Sequence, residues 1–226
     1  MYQIKARILL QFKFKINCMS SNIERDNLIK TIRRTAREMG INPVTIEKLQ
    51  KIDEVPKDLL EKYIESNEML TKLILENEQK QLHHIFENYE DDQANAIDLL
   101  FKVSKEIADN FHNLSPALTN QYQKLYPEVY KEHFEKKADF VYNKITYNIQ
   151  RGIWQGLYRD DISTELVARR YISRLIDLHN PENFPPENFS FNTVFAEMFE
   201  NFVKSIATEE GLKYWEESKM KSGLGV

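Results

Sequence analysis

The stretch Thr45–Leu70 reads TIEKLQKIDEVPKDLLEKYIESNEML and decides the fold. Its first half has an apolar residue every three positions, at Ile46, Leu49 and Ile52. Its second half has apolar residues at helical spacing from Val55 to Ile64. Only Asp53-Glu54 separates the two runs, which leaves room for a turn. The pattern therefore predicts two short helices joined as a helix-turn-helix.

Residues suited to helix ends flank these runs. Thr45 can cap the first short helix, and Glu47 lies in its first turn. Pro56 can open the next helix, where its missing N–H is not needed, and Ser66 can cap a fourth helix. Upstream, we predict a first helix from about Asn22 to Met39 that ends at Gly40. Its buried face is predicted to hold Leu28, Ile29, Ile32, Ala36 and Met39.

The rest of the chain continues with helical spacing, and the chain has only six glycines and seven prolines. We therefore predict an all-α protein of about nine helices, with an N-terminal three-helix domain and a larger C-terminal helical domain. The fourth helix has a polar stretch at residues 76–81 before apolar residues resume at Leu82, so we expect it to serve two cores. The predicted divisions are 1–21, an extension that is disordered or an upstream read-through, then 22–70 and 71–226.

Composition excludes several classes of protein. The net charge of −4 gives no general attraction to nucleic acid, and residues 19–66 hold nine basic and nine acidic side chains. The lone cysteine, Cys18, suits a reducing cytoplasm. Lys5, Arg7, Lys13 and Lys15 interrupt any apolar run in the extension, which argues against an export signal. No stretch reaches the roughly 20 apolar residues of a membrane span.

The predicted ninth helix is unusually aromatic. Its apolar residues, from Phe191 to Ile206, occupy more of the helix circumference than one neighbouring layer would cover. We favour a subunit interface as the explanation. The alternative is a fully buried central helix of a monomer.

With these features, the chain resembles the tetracycline-repressor (TetR) family of bacterial one-component regulators. Gly40-Ile41 followed by Thr45 is similar to the family pattern, which continues without a gap through Ile46, Leu49, Val55, Lys57, Leu60, Tyr63, Ser66, Glu68 and Leu70. Residues 152–161 look like the end of the family's seventh helix, and residues 206–212 look like the tail after its ninth. The resemblance covers nearly all of residues 22–218, and it implies a homodimeric regulator, by default a repressor, that binds operator DNA.

The resemblance implies a DNA-binding surface on the helix-turn-helix. Thr45 and Ser66 with Asn67 would present helix N-terminal amides to phosphates, and Tyr63 would reach a phosphate or remain in the core. The charged contacts would come from Arg37, Lys51, Lys57 and Lys62. Asp58 and Glu61 would accept from cytosine or face solvent.

This surface departs from the family pattern at five positions. The turn glycine is Glu54, the serine cap is Pro56, and the small residue after Lys57 is Asp58. Glu61 replaces an aromatic residue, and Asn67 replaces a basic one. These changes make the surface less positive. DNA binding should therefore be weaker, and its salt dependence should be flatter. They motivate an alternative, a TetR-like dimeric ligand-binding protein that has lost DNA binding.

The family's fold also implies an effector pocket among helices four to seven and a dimer interface on helices eight and nine. The pocket candidates suit a small apolar or aromatic molecule and are Phe86, Phe111, His112, Tyr122, Tyr142, Tyr147 and Trp154. Each is also explained as an ordinary core residue. The interface candidates are Tyr171, Leu175, Phe195, Phe199 and Phe202.

No sequence pattern indicates an enzyme, a metal site or a cofactor. The histidines lack a partner at the spacing of a metal site, and only Asp109 with His112 approximates the pairs of a di-iron bundle. No glycine-framed serine or phosphate-cradling loop occurs. We therefore expect no catalytic residues, no metal and no cofactor, although an all-α enzyme or small-molecule carrier is a further alternative.

Overall fold

The computed structural model describes residues 21–41, 43–89, 93–111, 116–178, 180, 182–185 and 188–221. These residues form ten α-helices without a strand, which confirms the all-α prediction. The first, α1, covers residues 21–38. The others are α2 Ile46–Leu49, α3 Lys57–Tyr63, α4 Asn67–Glu87, α5 Ala96–Phe111, α6 Pro116–Leu125, α7 Pro127–Trp154, α8 Thr164–Asp177, α9 Phe191–Ile206 and α10 Glu209–Lys221.

Gly40 follows the end of α1 and stops the helix for the predicted reason. Gly40 has a φ of 63°, the left-handed conformation that glycine adopts without strain. Ile41 N–H donates to the Ala36 carbonyl at 2.8 Å, and Gly40 N–H donates to Arg37 at 3.2 Å, which together close a Schellman motif. The prediction for Met39 is wrong, because it lies at this turn and its side chain is 58% exposed.

Contacts divide the chain into two compact units between Glu78 and Gln79, within α4. This division falls after the predicted boundary at residue 70, and the intervening Leu73, Ile74 and Leu75 are buried. The polar stretch at residues 76–81 is partly buried. Asn77 is buried, and its side-chain oxygen accepts from Arg33 of α1 at 2.8 Å. The prediction for residues 1–21 falls outside the described residues, apart from Ser21.

The second unit has one core, to which α4, α5, α7, α8, α9 and α10 contribute. Phe101, Phe199 and Trp215 meet there, with ring centroids 5.6–6.4 Å apart. Trp215 belongs to α10, which the sequence analysis treated as a tail and not as a helix. The described residues therefore hold one packed helix, α10, beyond the predicted nine.

The two C-terminal segments that resemble the TetR family pack against each other. Helix α7 ends at Trp154, and Gly156 follows with a φ of 74°. The turn after it meets the junction between α9 and α10. Arg159 N–H donates to Ile206 at 2.8 Å, and Thr208 N–H donates to Leu157 at 3.0 Å. A Cβ on Gly211 would lie 2.0 Å from the Leu157 carbonyl oxygen, so this approach requires glycine.

No helix in the described part of the chain has the length and apolar content needed to cross a membrane.

Candidate nucleic-acid interface

Three groups within the chain cover the N-terminus of α2. The Thr45 hydroxyl accepts from Lys48 N–H at 3.4 Å, as its predicted capping role requires. The Asn67 side-chain oxygen accepts from Ile46 N–H at 2.7 Å, and its amide group donates to Glu47 at 3.3 Å. The pKa of Glu47 is lowered by its own backbone N–H, the Thr45 hydroxyl and the Asn67 amide. The amides expected to face phosphate therefore have acceptors inside the chain.

The turn between α2 and α3 forms without strain at Glu54. No described residue other than glycine has a positive φ, so Glu54 does not reproduce a left-handed glycine. Short-range hydrogen bonds build the turn instead, with Ile52 N–H donating to Leu49 at 3.1 Å and Val55 N–H donating to Ile52 at 3.3 Å. Ile52 and Val55 are both buried and anchor the two ends of the turn. The glycine departure therefore leaves the helix-turn-helix intact.

Helix α3 has a buried side and a solvent side of mixed charge. Leu60 and the following Ile64 are buried, and Pro56 precedes the helix at its N-cap without a side-chain capping bond. The exposed residues of α3 are Lys57, Asp58, Glu61 and Lys62. Two cations and two anions thus share the surface that would meet DNA.

Glu24, which the sequence analysis missed, connects α1 to the end of α3. Its Oε2 atom accepts from Lys62 Nζ at 2.7 Å and from the Tyr63 hydroxyl at 2.5 Å. The Ser21 hydroxyl lies 3.2 Å from the Tyr63 hydroxyl. The hydrogen bond to Glu24 raises the pKa of Lys62, and the hydrogen bonds from Lys62 and Tyr63 lower that of Glu24. Two predicted phosphate contacts therefore already bind one carboxylate.

The remaining predicted contacts lie at helix ends and on the surface. Ser66 caps α4 as predicted, because its hydroxyl accepts from Met69 N–H at 3.1 Å. Arg37 near the end of α1 and Lys51 after α2 have exposed side chains. Both are free to meet a ligand from solvent.

The described effector-pocket candidates have different surroundings. Phe86 meets Phe140 edge to face at 5.2 Å, and Lys144 Nζ lies 5.8 Å from the centre of the Phe86 ring. Tyr122 is buried, whereas Tyr142 lies 5.5 Å from the Arg169 guanidinium. Two other candidates are on the surface: Tyr147 is 61% exposed and Trp154 is 86% exposed. The backbone of Phe111 ends α5, and His112 lies outside the described residues.

The predicted interface residues lie mainly inside the chain itself. Tyr171, Phe195 and Phe199 are 4–6% exposed, so a second chain could not reach their side chains. Phe202 packs its ring against Tyr171 at 4.7 Å, and Leu175 is partly buried against the same core. The aromatic character of α9 is therefore explained by contacts within the chain. Large exposed apolar side chains are found instead at Leu166 and Ile176 of α8 and at Phe189.

Metal-binding side chains are not clustered in the part of the chain that the structure describes. No group of three or more histidine, cysteine, aspartate or glutamate side chains in these residues could hold a metal ion. His83 stacks on Phe140 at 3.8 Å between ring centroids.

A three-helix head with a helix-turn-helix, followed by a larger helical unit, is the architecture of a class of helix-turn-helix regulators. More particularly, the fold is that of the TetR-type transcriptional regulators. A TetR transcription regulator from Haloarcula marismortui superposes with a TM-score of 0.65 at 18% identity, covering 83% of this chain and all of that one. NemR of Escherichia coli in its reduced form superposes with a TM-score of 0.62 at 17% identity, covering 82% of this chain and 97% of that one.

The ketosteroid transcriptional regulator KstR2 of Mycobacterium tuberculosis gives a TM-score of 0.54 at 16% identity, covering 82% of this chain and 95% of that one. No family model and no curated protein matches the sequence. At identities this low, the likeness establishes the fold, and it confirms the fold that the sequence resemblance implied.

Proposed function

We propose that this protein is a one-component transcriptional regulator, by default a repressor, that binds double-stranded operator DNA as a homodimer. The observation that carries the proposal is the strain-free helix-turn-helix, which presents the Lys57 and Lys62 side of α3 to solvent. A regulator of this kind performs no catalysis and needs no metal or cofactor. It acts where the DNA is, which fits the cytoplasmic location predicted from sequence.

The charges of the head set the expected strength of binding. Phosphate contacts supply most of the non-specific affinity for DNA, and each contact adds to its salt dependence. Asp58 and Glu61 offset the two lysines of α3, and Asn67 is engaged with α2. We therefore expect binding that is weak at physiological salt and gentle in its salt dependence, with specificity from base contacts.

The second unit would bind a small apolar or aromatic effector. Its partly buried aromatic side chains, including Phe86 and Tyr142, are the chemistry that such a ligand needs. Binding would change DNA affinity by the difference between the effector's affinities for the DNA-competent and incompetent states. NemR and KstR2 have the same fold, and the latter is described as a ketosteroid regulator.

A gel-shift titration with the region upstream of the protein's own operon tests DNA binding. At about 50 mM salt we expect saturable binding, which Lys57→Met weakens by several-fold because a phosphate contact is lost. Lys213→Met is the matched control, since it removes an exposed lysine from α10. Absence of saturable binding by the wild-type protein would contradict the proposal.

The second candidate is a dimeric ligand-binding protein of the same fold that no longer binds DNA. The acidic residues of α3 favour it. Glu61→Lys separates the two functions: a protein that has lost binding should gain it, whereas a working head should lose sequence specificity. Asn67 is unsuitable for this test, because replacing it would also remove an acceptor from α2.

A further inference from the structure

One carboxylate oxygen holds two side chains that the proposed function assigns to DNA phosphate. Glu24 Oε2 lies 2.7 Å from Lys62 Nζ and 2.5 Å from the Tyr63 hydroxyl oxygen. Lys62 Nζ also lies 4.7 Å from the centre of the Tyr63 ring. Ammonium and phenol groups converging on one anionic oxygen are the donors that a backbone phosphate would use.

We propose that Glu24 is an internal substitute for phosphate, which DNA must displace before Lys62 and Tyr63 can bind its backbone. This inference rests on the proposed function, because it concerns the same surface. It identifies Glu24, on α1, as a determinant of DNA affinity although it lies outside the helix-turn-helix itself.

Hydrogen-bond capacity makes the two acceptors compete. A tyrosine hydroxyl has a single O–H donor, so Tyr63 cannot donate to Glu24 and to phosphate at the same time. Lys62 has three N–H donors, but a phosphate close to it would also lie close to the Glu24 carboxylate. The repulsion between these two anions opposes binding.

The pair is ionic in the free protein. Hydrogen bonds from Lys62 and Tyr63 lower the pKa of Glu24, and Glu24 raises the pKa of Lys62. DNA binding is therefore an exchange in which Lys62 leaves one anion for another. The freed Glu24 carboxylate regains its own counterions from solution. This uptake cancels part of the counterion release that normally gives DNA binding its salt dependence.

The test is a fluorescence-anisotropy titration of a labelled, mixed-sequence DNA duplex at several salt concentrations. Glu24→Gln keeps a side-chain oxygen that can accept from Lys62 and Tyr63, but it removes the charge. We expect affinity to rise by about two- to fivefold per head, and by about four- to 25-fold when both heads of a dimer bind. The salt slope should become steeper by about one unit per head.

Matched variants separate the local effect from a change in net charge. Glu38→Gln removes an exposed carboxylate from the same helix and should gain little. In a Lys62→Met background, Glu24→Gln should lose most of its effect on affinity, because the cation for which Glu24 and phosphate compete is gone. Glu24→Ala serves as a second variant, and thermal unfolding checks that each protein is folded.

The outcomes distinguish this inference from the proposed function. If wild type binds the duplex and Glu24→Gln binds no tighter than Glu38→Gln, the inference is overturned while DNA binding stands. Weaker binding by Glu24→Gln would also overturn it, since Glu24 would then orient Lys62 and Tyr63 for phosphate. If wild type and every variant fail to bind both this duplex and the upstream region at low salt, both proposals fail.

Discussion

Asn67 shows how one residue changes meaning when its contacts are known. From sequence, it is a missing positive charge beside Ser66. In the structure, its side-chain oxygen accepts from Ile46 N–H at 2.7 Å and its amide group donates to Glu47. The residue therefore links α2 to the start of α4, and a lysine there would lose the acceptor.

We expect Asn67→Ala to destabilise the protein by about 1 kcal/mol, because a helix N-terminal N–H loses its acceptor. Asn67→Lys should cost at least as much, even though it adds a cation near the proposed DNA surface. Urea unfolding measures the difference. Asn201→Ala is the control, since it removes only an exposed hydrogen bond to Glu197 on α9. An Asn67→Ala variant as stable as wild type would show that solvent replaces the cap.

Glu47 makes the stability of the head depend on pH. Its folded-state pKa lies below the ordinary value of 4.5, because its own N–H, Thr45 and Asn67 favour the charged form. The stability that charged Glu47 contributes is therefore complete above that value, and it is lost as the pH falls through the folded-state pKa. We expect Glu47→Gln to lose less stability than wild type between about pH 5 and 3. Urea midpoints across this range measure the difference, with Glu61→Gln as the control. Midpoints of wild type and Glu47→Gln that fall in parallel would refute it.

At the residue scale, local roles could be predicted and distant ones could not. Thr45, Ser66 and Gly40 act on neighbours within five residues, and the structure confirms their helix-end roles. Glu24 lies far from Tyr63 in sequence, so no spacing rule could connect them. The tertiary packing of α1 against α3 determines that contact.

At the scale of elements, the turn after α7 packs against the junction between α9 and α10. Tyr158 pairs with Ala207 in an isolated antiparallel bridge, and its buried ring packs directly over Gly152. Both segments can be identified from sequence by their family resemblance, but their contact cannot. Helix α10 was also not predicted from sequence, and its Trp215 lies in the core.

Gly152→Ala should be destabilising although alanine is the better helix former. Alanine would gain about 1 kcal/mol in propensity at an open helical position. Here its Cβ would lie 2.0 Å from Tyr158 Cδ2, and that ring is buried. We expect a net loss of about 1–3 kcal/mol from overpacking.

A double-mutant cycle checks this reason. Gly152→Ala should cost much less in a Tyr158→Ala background, where the overlapping ring is absent. Thermal or urea unfolding of the four proteins gives the coupling. Equal costs in both backgrounds would mean that the Tyr158 ring is not the cause.

At the scale of the whole molecule, the exposed apolar residues bear on the proposed homodimer. Leu166 is 63% exposed and Ile176 is 44% exposed, both on α8. The residues first predicted for the interface, among them Phe195 and Phe199, are buried in the chain. Surface and core cannot be separated from an aromatic pattern alone, because both favour apolar side chains at helical spacing.

We expect Leu166→Glu with Ile176→Glu to convert a dimer into monomers of 26.9 kDa, because the charges would be buried in the interface. Light scattering coupled to size-exclusion chromatography measures the mass. Lys213→Glu, an exposed change on α10, should leave the dimer intact. A monomeric wild-type protein would contradict the dimer, and a dimeric double variant would place the interface elsewhere.

The contrast between the chain's two tryptophans has a spectroscopic consequence. Trp154 is 86% exposed and Trp215 is 4% exposed, so one indole is in water and the other lies in an aromatic cluster. The emission of the folded protein should contain a red-shifted part that iodide quenches and a blue-shifted part that it does not reach. A Trp154→Phe variant would retain the second part alone and become an optical probe of the core.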